Sequence, residues 1–366
     1  MSFQCGIVGL PNVGKSTLFN ALTESGIPAE NYPFCTIEPH IGIVELPDAR
    51  LKDIASIYSP EKVTPATVEF IDIAGLVKGA SKGEGLGNQF LGQIRQTSAI
   101  LHVVRCFDDK NITHVDGSID PVRDVETIET ELLLADILTI EKRKHKVEKL
   151  ARSGDKEAKD SLYILDLLLE HCSDGNAARL LTIDQEYSEF KRSLQLLTEK
   201  PVLYIANTSE AETMEDNTGE HVRSLEKYAL KENNVVISLC SSIEQEIALL
   251  KEEEKPMFLQ EYGLSEPGLN KVIRSSFELL GLQNFFTCGE KEVKSWTISK
   301  GSTAPQAAGN IHSDFERGFI KADTFHYSEL IENGSEKVLK ELGLIRQEGK
   351  DYIVKDGDCI FFKFNV

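Results

Sequence analysis

No run of about 18 apolar residues occurs in the 366-residue chain, so no stretch reads as a membrane-spanning helix. No two of its seven cysteines (Cys5, Cys35, Cys106, Cys172, Cys240, Cys288 and Cys359) form C-x-x-C. The odd, scattered set argues against a disulfide framework or a zinc knuckle and fits single buried thiols in a reducing cytosol. The opening "MSFQCGIVGL" has no basic leader and no cleavage site, so a secretory signal is not expected. Basic charge is also scarce: 40 Lys and Arg stand against 59 Asp and Glu, a formal net charge of -19. Such a chain does not coat nucleic acid indiscriminately, and DNA is not expected as a partner. Any RNA contact needs a local basic patch.

What is present is a series of apolar strand-like runs: residues 3–10, 40–46, 67–73, 100–107, 201–207 and 234–239. Nearly continuous apolar runs alternating with helical patterns predict an α/β fold, a doubly wound and mostly parallel sheet covered by helices. The gap differs in character. From Val122 to Ser153 there is no Gly and no Pro. Ala158, Leu162, Leu165 and Leu169 fall on one helix face, as do Ile183, Tyr187, Phe190, Leu194 and Leu197. We therefore expect residues 126–200 to form an α-helical insertion, a coiled-coil hairpin or small bundle. Within it, "EKRKHKVEKLAR" (141–152) is either a solvated helix face or an RNA or ribosome contact. Residues 1–125 and 201–280 then make the nucleotide-binding domain, and 281–366 a small α+β domain in which Thr303 caps a short helix with Pro305 in its first turn.

The segment "GLPNVGKST", Gly9 to Thr17, matches G-x-x-x-x-G-K-[ST] between a strand and a helix, the context a P-loop requires. Gly9 and Gly14 let the backbone bend around phosphate oxygens. The amides of Val13, Gly14, Lys15, Ser16 and Thr17 would donate to them, aided by the helix dipole. Lys15 would reach the β- and γ-phosphates, and the Ser16 hydroxyl would bind Mg²⁺. In "FIDIAGLVKGA", Asp72 ends a strand at the Walker-B position, a second metal contact, with Ala74-Gly75 behind it. Thr36, in the loop "NYPFCTIEP", either closes over the magnesium or is an ordinary loop residue. Gly75, Gly79, Gly83, Gly85 and Gly87 make the following run a candidate switch loop.

That glycine-rich run resembles the Obg family of P-loop proteins. "YPFCTIEP", "HVVRCF", the helical insertion and the final domain together resemble its YchF subfamily of Obg-like ATPases, over nearly the whole chain. "GSTAPQAAGNIHSDFERGFIKA" with "GKDYIVKDGD" resembles a TGS domain, a β-grasp (ubiquitin-like) module associated with RNA or ribosome contact. The resemblance implies a cytoplasmic, Mg²⁺-dependent switch that binds and hydrolyses ATP and acts on the ribosome or ribosomal RNA through the TGS domain and the helical insertion. A GTPase of the same fold, or a nucleotide-gated scaffold, is the alternative.

The base-reading segment is "IANTSE". A guanine reader would carry Asn-Lys-x-Asp there; this chain has Asn207, with Thr208 for the lysine and Glu210 for the aspartate. In Asn-Lys-x-Asp the aspartate accepts from guanine N1–H and the exocyclic amine. Glu210 is one methylene longer, so a bidentate fit is displaced by about a bond length. Guanine discrimination is therefore expected to be weak. Asn207 and the Thr208 backbone are the expected adenine contacts, with Glu210 turned aside; the resemblance implies ATP preference through the same Asn-x-x-Glu pattern. Cys240, Ser241 and Ser242 are expected to flank the base. The residue after Asp-x-x-Gly is Leu76, which cannot orient water as the usual glutamine does. His114, in a polar loop after a strand, is the candidate replacement, although a loop histidine is also an ordinary surface residue. Asn12 is a candidate holder of a potassium ion beside the phosphates, and Arg95 and Arg105 are weaker catalytic candidates or structural residues.

Overall fold

A computed structural model describes residues 3–24, 40–73, 86–109, 111–115, 117–153, 155–214 and 219–365. Thr36, Gly75, Leu76 and the glycines from 79 to 85 lie outside them. The chain divides into two compact units. One comprises Met1–Ile43 with Glu69–Val272, and the other Val44–Val68 with Ile273–Val366. The second unit thus takes a piece of chain that the sequence assigns to residues 1–125.

The strands are β1 (Gln4–Val8), β2 (Ile41–Glu45), β3 (Lys62–Thr64), β4 (Thr67–Asp72), β5 (Ala99–Arg105), β6 (Val202–Asn207), β7 (Val235–Leu239), β8 (Leu282–Thr287), β9 (Glu292–Ser299), β10 (Phe319–His326), β11 (Arg346–Glu348) and β12 (Asp358–Phe364). The first sheet has the order β2-β4-β1-β5-β6-β7. Strands β4, β1, β5, β6 and β7 pair in parallel throughout. Only β2 opposes β4: Leu46 N bonds Ala66 O at one end and Asp72 N bonds His40 O at the other. All residues of β5 and β6 are buried, as strands between two helical layers require, whereas β7 at the edge alternates. Ile7 lies opposite Asp72, Arg105 opposite Asn207, and Asn207 opposite Leu239, so the parallel strands finish along one edge. In an open α/β sheet that edge is where ligands bind.

The first helices are α1 (Lys15–Glu24), α2 (Ala49–Tyr58), α3 (Leu86–Gln96), α4 (Pro121–Arg152), α5 (Lys156–Ser173), α6 (Ser188–Ser193), α7 (Glu210–Met214), α8 (Glu220–Leu230) and α9 (Ser241–Leu249). Helix α4 starts where Asp120 accepts from Arg123 N with Pro121 in the first turn, and α5 where Asp155 accepts from Ala158 N. The two pack together over Ile140, Val147, Ala151, Ala158, Leu165 and Leu168. The stripe expected over residues 183–197 is not one helix. It breaks into a short 3₁₀ turn, α6, and a left-handed Gln195. The buried carboxylate of Asp136 on α4 explains why the stripe does not end in a helix, because it accepts from Leu197 N at 2.7 Å, Thr198 N at 2.8 Å and Thr198 Oγ1 at 2.7 Å. Those amides cannot also serve a helix. Ile183, Tyr187, Phe190 and Leu194 still pack on the same core.

His102, on β5, is 5% exposed, with its ring centre 5.6 Å from that of Tyr204. Burial, helped by Lys15 and Arg179, lowers its pKa to about 3 from 6.5. The unfolded chain takes up this proton near pH 6.5 and the folded chain does not until about pH 3. Stability contributed by neutral His102 is therefore complete above pH 6.5 and lost as pH falls toward 3. Between pH 7.5 and 5, urea unfolding of the native chain is expected to lose about 2 kcal/mol that His102→Phe does not lose. Equal losses would contradict the buried neutral ring.

The second unit carries a six-stranded sheet, β11-β10-β12-β8-β9-β3. Strand β3 pairs in parallel with β9, and Leu51 and Ile54 of α2 join Phe286, Val293, Phe325 and Cys359 in one core. On the other sheet face, the helix Ala304–Ile311 packs Ala304, Ala307 and Ala308 against Phe285, Ala322 and Phe362. Thr303 at its N-cap and Pro305 in its first turn match the sequence expectation, and Gln306 adds a capping box.

Candidate nucleotide-binding site

The P-loop follows β1 and ends in α1. Gly14 has φ +98°, and a Cβ there would stand 2.2 Å from Asn207 Nδ2, so both conformation and space require glycine. Asn12 is also left-handed, at φ 63°, a region that asparagine tolerates better than most residues. Lys15 is 8% exposed and donates Nζ to the Leu10 carbonyl at 2.8 Å. Burial lowers its pKa, and Asp72 opposes the shift. The Asp72 carboxyl, at the end of β4, is raised by burial and pulled back by Lys15 and then His40. The Lys15 and Asp72 charges thus act on one another beside the loop, while Ser16 is exposed in the first turn of α1.

On the base side, Asn207 is 4% exposed, and both ends of its amide are bonded to protein. Nδ2 donates to Val13 O at 2.8 Å, and Oδ1 accepts from Ser241 N at 2.9 Å. The side chain therefore clasps the P-loop to the start of α9. Thr208 is buried, with its amide bonded to Leu239 O. Glu210 opens α7, is exposed, and has Oε1 3.5 Å from Ser242 Oγ. Ser242 Oγ also lies 3.1 Å from Cys240 Sγ. The Ser241 hydroxyl is buried without a hydrogen-bond partner among the described residues, 3.6 Å from where a Gly14 Cβ would be.

His114 is buried, not a surface residue: Nε2 lies 2.8 Å from Asp124 Oδ2, and Arg123 reaches the other carboxylate oxygen at 3.1 Å. The preceding carbonyl, of Thr113, accepts from Asn12 Nδ2 at 3.2 Å, which joins this loop to the P-loop. Arg95 sits at the end of α3 and reaches Thr139 Oγ1 at 3.4 Å. The fold brings together Asn12, Val13, Gly14, Lys15, Asn207 and Ser241, and holds Thr113, the residue before His114, against Asn12. The His114–Asp124 pairing was not read from the sequence: Asp124 lies two residues before the expected insertion, and the structure places it in the first turn of α4.

Comparison with known proteins agrees along the whole chain. A family model for the C-terminal region of YchF GTPases matches residues 282–365, and one described as a 50S ribosome-binding GTPase matches residues 4–134. Proteins described as ribosome-binding ATPase YchF are 53% identical in Bacillus subtilis and 54% identical in Escherichia coli O157:H7, each over 366 residues and 100% of both chains. The chain belongs to the YchF family. The solved Schizosaccharomyces pombe YchF GTPase superposes with a TM-score of 0.90 at 37% identity, covering 99% of this chain and 98% of that one. YchF proteins are members of the Obg family. The names of these relatives divide over the nucleotide, ATPase for the bacterial proteins and GTPase for the fission-yeast structure. For this YchF chain the base side of the site therefore carries the question.

Proposed function

We propose that this YchF chain is an ATP-binding and ATP-hydrolysing switch that works in the cytosol on the ribosome. The observation that carries the ATP reading is the contrast within one site. The phosphate side has a complete P-loop, while the base side has a carboxylate one methylene too long, exposed and drawn toward Ser242. With the Asn207 amide engaged by Val13 and Ser241, its part in base selection is to hold the two base loops at a fixed height. The Thr208 amide is taken by Leu239 O, so the Thr208 carbonyl and the free Ser241 hydroxyl are the groups left to meet an adenine edge.

The Ser16 hydroxyl and Asp72 carboxylate are hard oxygen donors, and Asp72 sits where Lys15 already balances charge, a donor set that fits Mg²⁺. Magnesium would neutralise phosphate charge there; Thr36 is proposed as a further ligand, and Asn12 as a potassium contact. Lys15 holds the β- and γ-phosphates. His114 orients or deprotonates the attacking water. For ribosome contact, the C-terminal sheet with its Thr303-capped helix supports the TGS reading. Lys142, His145, Lys146, Lys149 and Arg152 are all exposed along α4, which supports a polyanion contact by the helical insertion.

Co-sedimentation with ribosomes, run in parallel with ATP, ADP and GTP analogues, tests the whole. The ATP analogue is expected to change the bound fraction where equal GTP analogue does not, and ATP to displace a labelled analogue about tenfold better than GTP. Equal displacement would favour a GTPase. Nucleotide-independent sedimentation with no turnover would favour a scaffold.

A further inference from the structure

We infer that Arg105 is a positioning residue for hydrolysis, shaping the loop that presents Thr113 to the P-loop and carries His114. Arg105 is the last residue of β5 and is 1% exposed. Each nitrogen of its guanidinium serves a different carbonyl of the loop that follows. Nε donates to Phe107 O at 3.1 Å, Nη1 to Ile112 O at 3.1 Å, and Nη2 to Asp109 O at 3.2 Å. The Phe107 ring lies over it, 4.6 Å from the guanidinium carbon. Among the described residues no carboxylate stands within ion-pair range of it. A buried cation matched only to carbonyls acts through its shape, because the guanidinium donates from three nitrogens in one plane, a spread that the three donors on one ammonium nitrogen do not reproduce.

The consequence lies one residue further along. Ile112 O is held by Arg105, and the next carbonyl, Thr113 O, is held by Asn12 Nδ2 at 3.2 Å. His114 follows, against Asp124. Arg105 therefore sets the height of residues 112–114 over the P-loop from inside the sheet, and Asn12 sets it from the phosphate side. A displacement of about 1 Å at a reacting group can cost about 100-fold in rate, so a loop fixed at two consecutive carbonyls is a device for precision.

This inference rests on His114 acting in hydrolysis. In the full chain, Arg105→Lys is expected to slow single-turnover ATP hydrolysis about tenfold or more while ATP affinity stays within about threefold. Added to His114→Ala, it is expected to slow the reaction less than about twofold further, because it acts through the same group. A merely structural arginine would change affinity and rate together, or multiply its effect in both backgrounds; either result overturns the inference. An unchanged rate in Arg105→Lys also overturns it. If His114→Ala turns over normally, the His114 reading fails and the inference with it; a slow His114→Ala beside a normal or multiplicative Arg105→Lys removes the inference alone. Should Arg105→Lys not fold, Arg105→Gln buries no unpaired charge and deletes the guanidinium fork that holds the Phe107, Asp109 and Ile112 carbonyls. It is expected to show the same non-additivity with His114→Ala, and a multiplicative effect would overturn the inference.

Discussion

Replacing Lys15 by methionine is expected to weaken ATP binding by about 100-fold and to reduce hydrolysis at least as much, leaving the fold intact. A charge-assisted contact to phosphate is worth about 1.5–3 kcal/mol, or roughly one to two orders of magnitude in affinity. The field that Lys15 supplies to a developing phosphoryl charge adds to the loss in rate. Methionine fills a similar volume, so the wall beneath the loop stays packed. The structural cost is the Leu10 carbonyl, which now accepts from Nζ at 2.8 Å and would be left unpaired, at about 1 kcal/mol. Burial lowers the Lys15 pKa, with Asp72 opposing, and a bound polyphosphate would join Asp72 in favouring the charged form. Calorimetric titration with a non-hydrolysable ATP analogue, beside a thermal melt, checks both halves. Affinity within about threefold of the parent chain at an unchanged melting temperature would mean that phosphate is held elsewhere.

The parallel sheet was legible because its strands are buried on both faces and read as unbroken apolar runs. Residues 100–107 and 201–207 announce β5 and β6, which are buried at every position. The P-loop was legible because its glycines and lysine have fixed spacing. Less visible were features that depend on long-range partners. Nothing in "VTPATV" says that Lys62–Thr64 pairs with Glu292–Lys294, since three exposed-looking residues carry no pattern of their own. The apolar spacing of 183–197 satisfies a helix, but Asp136, more than 45 residues earlier, takes the amides of Leu197 and Thr198. Asn207 was placed at the base edge by motif order, and its two bonds to Val13 and Ser241 could be known only once the P-loop and α9 were set beside β6. Arg105 reads as a charged end to an apolar strand; its three carbonyl partners belong to a loop without periodicity.

Arg179 carries the largest stability effect expected from one side chain. It follows α5 and turns inward, with side-chain exposure of 12%, onto Glu129 of α4 at 15% and Glu232 after α8 at 14%. Its Nε donates to Glu232 Oε2 at 3.1 Å and Nη1 to Thr198 O at 3.3 Å. The same carboxylates accept from Tyr228 Oη at 2.9 Å and Asn234 Nδ2 at 3.0 Å. One cation thus ties the helical insertion to the helix and strand at the sheet's far edge. Removing it leaves two largely buried carboxylates facing each other. Breaking a buried pair by deleting one partner costs about 3–5 kcal/mol, more than the pair itself contributes, because the remaining charge has lost its solvent. Arg179→Met is therefore expected to lower unfolding free energy by about that amount. Adding Glu129→Gln and Glu232→Gln is expected to restore most of it, since the triple variant buries no unpaired charge. Urea unfolding of the four combinations measures the coupling. A loss below about 1 kcal/mol in Arg179→Met, or no recovery in the triple variant, would show that the carboxylates rotate out to water and that the clamp contributes little beyond a surface pair.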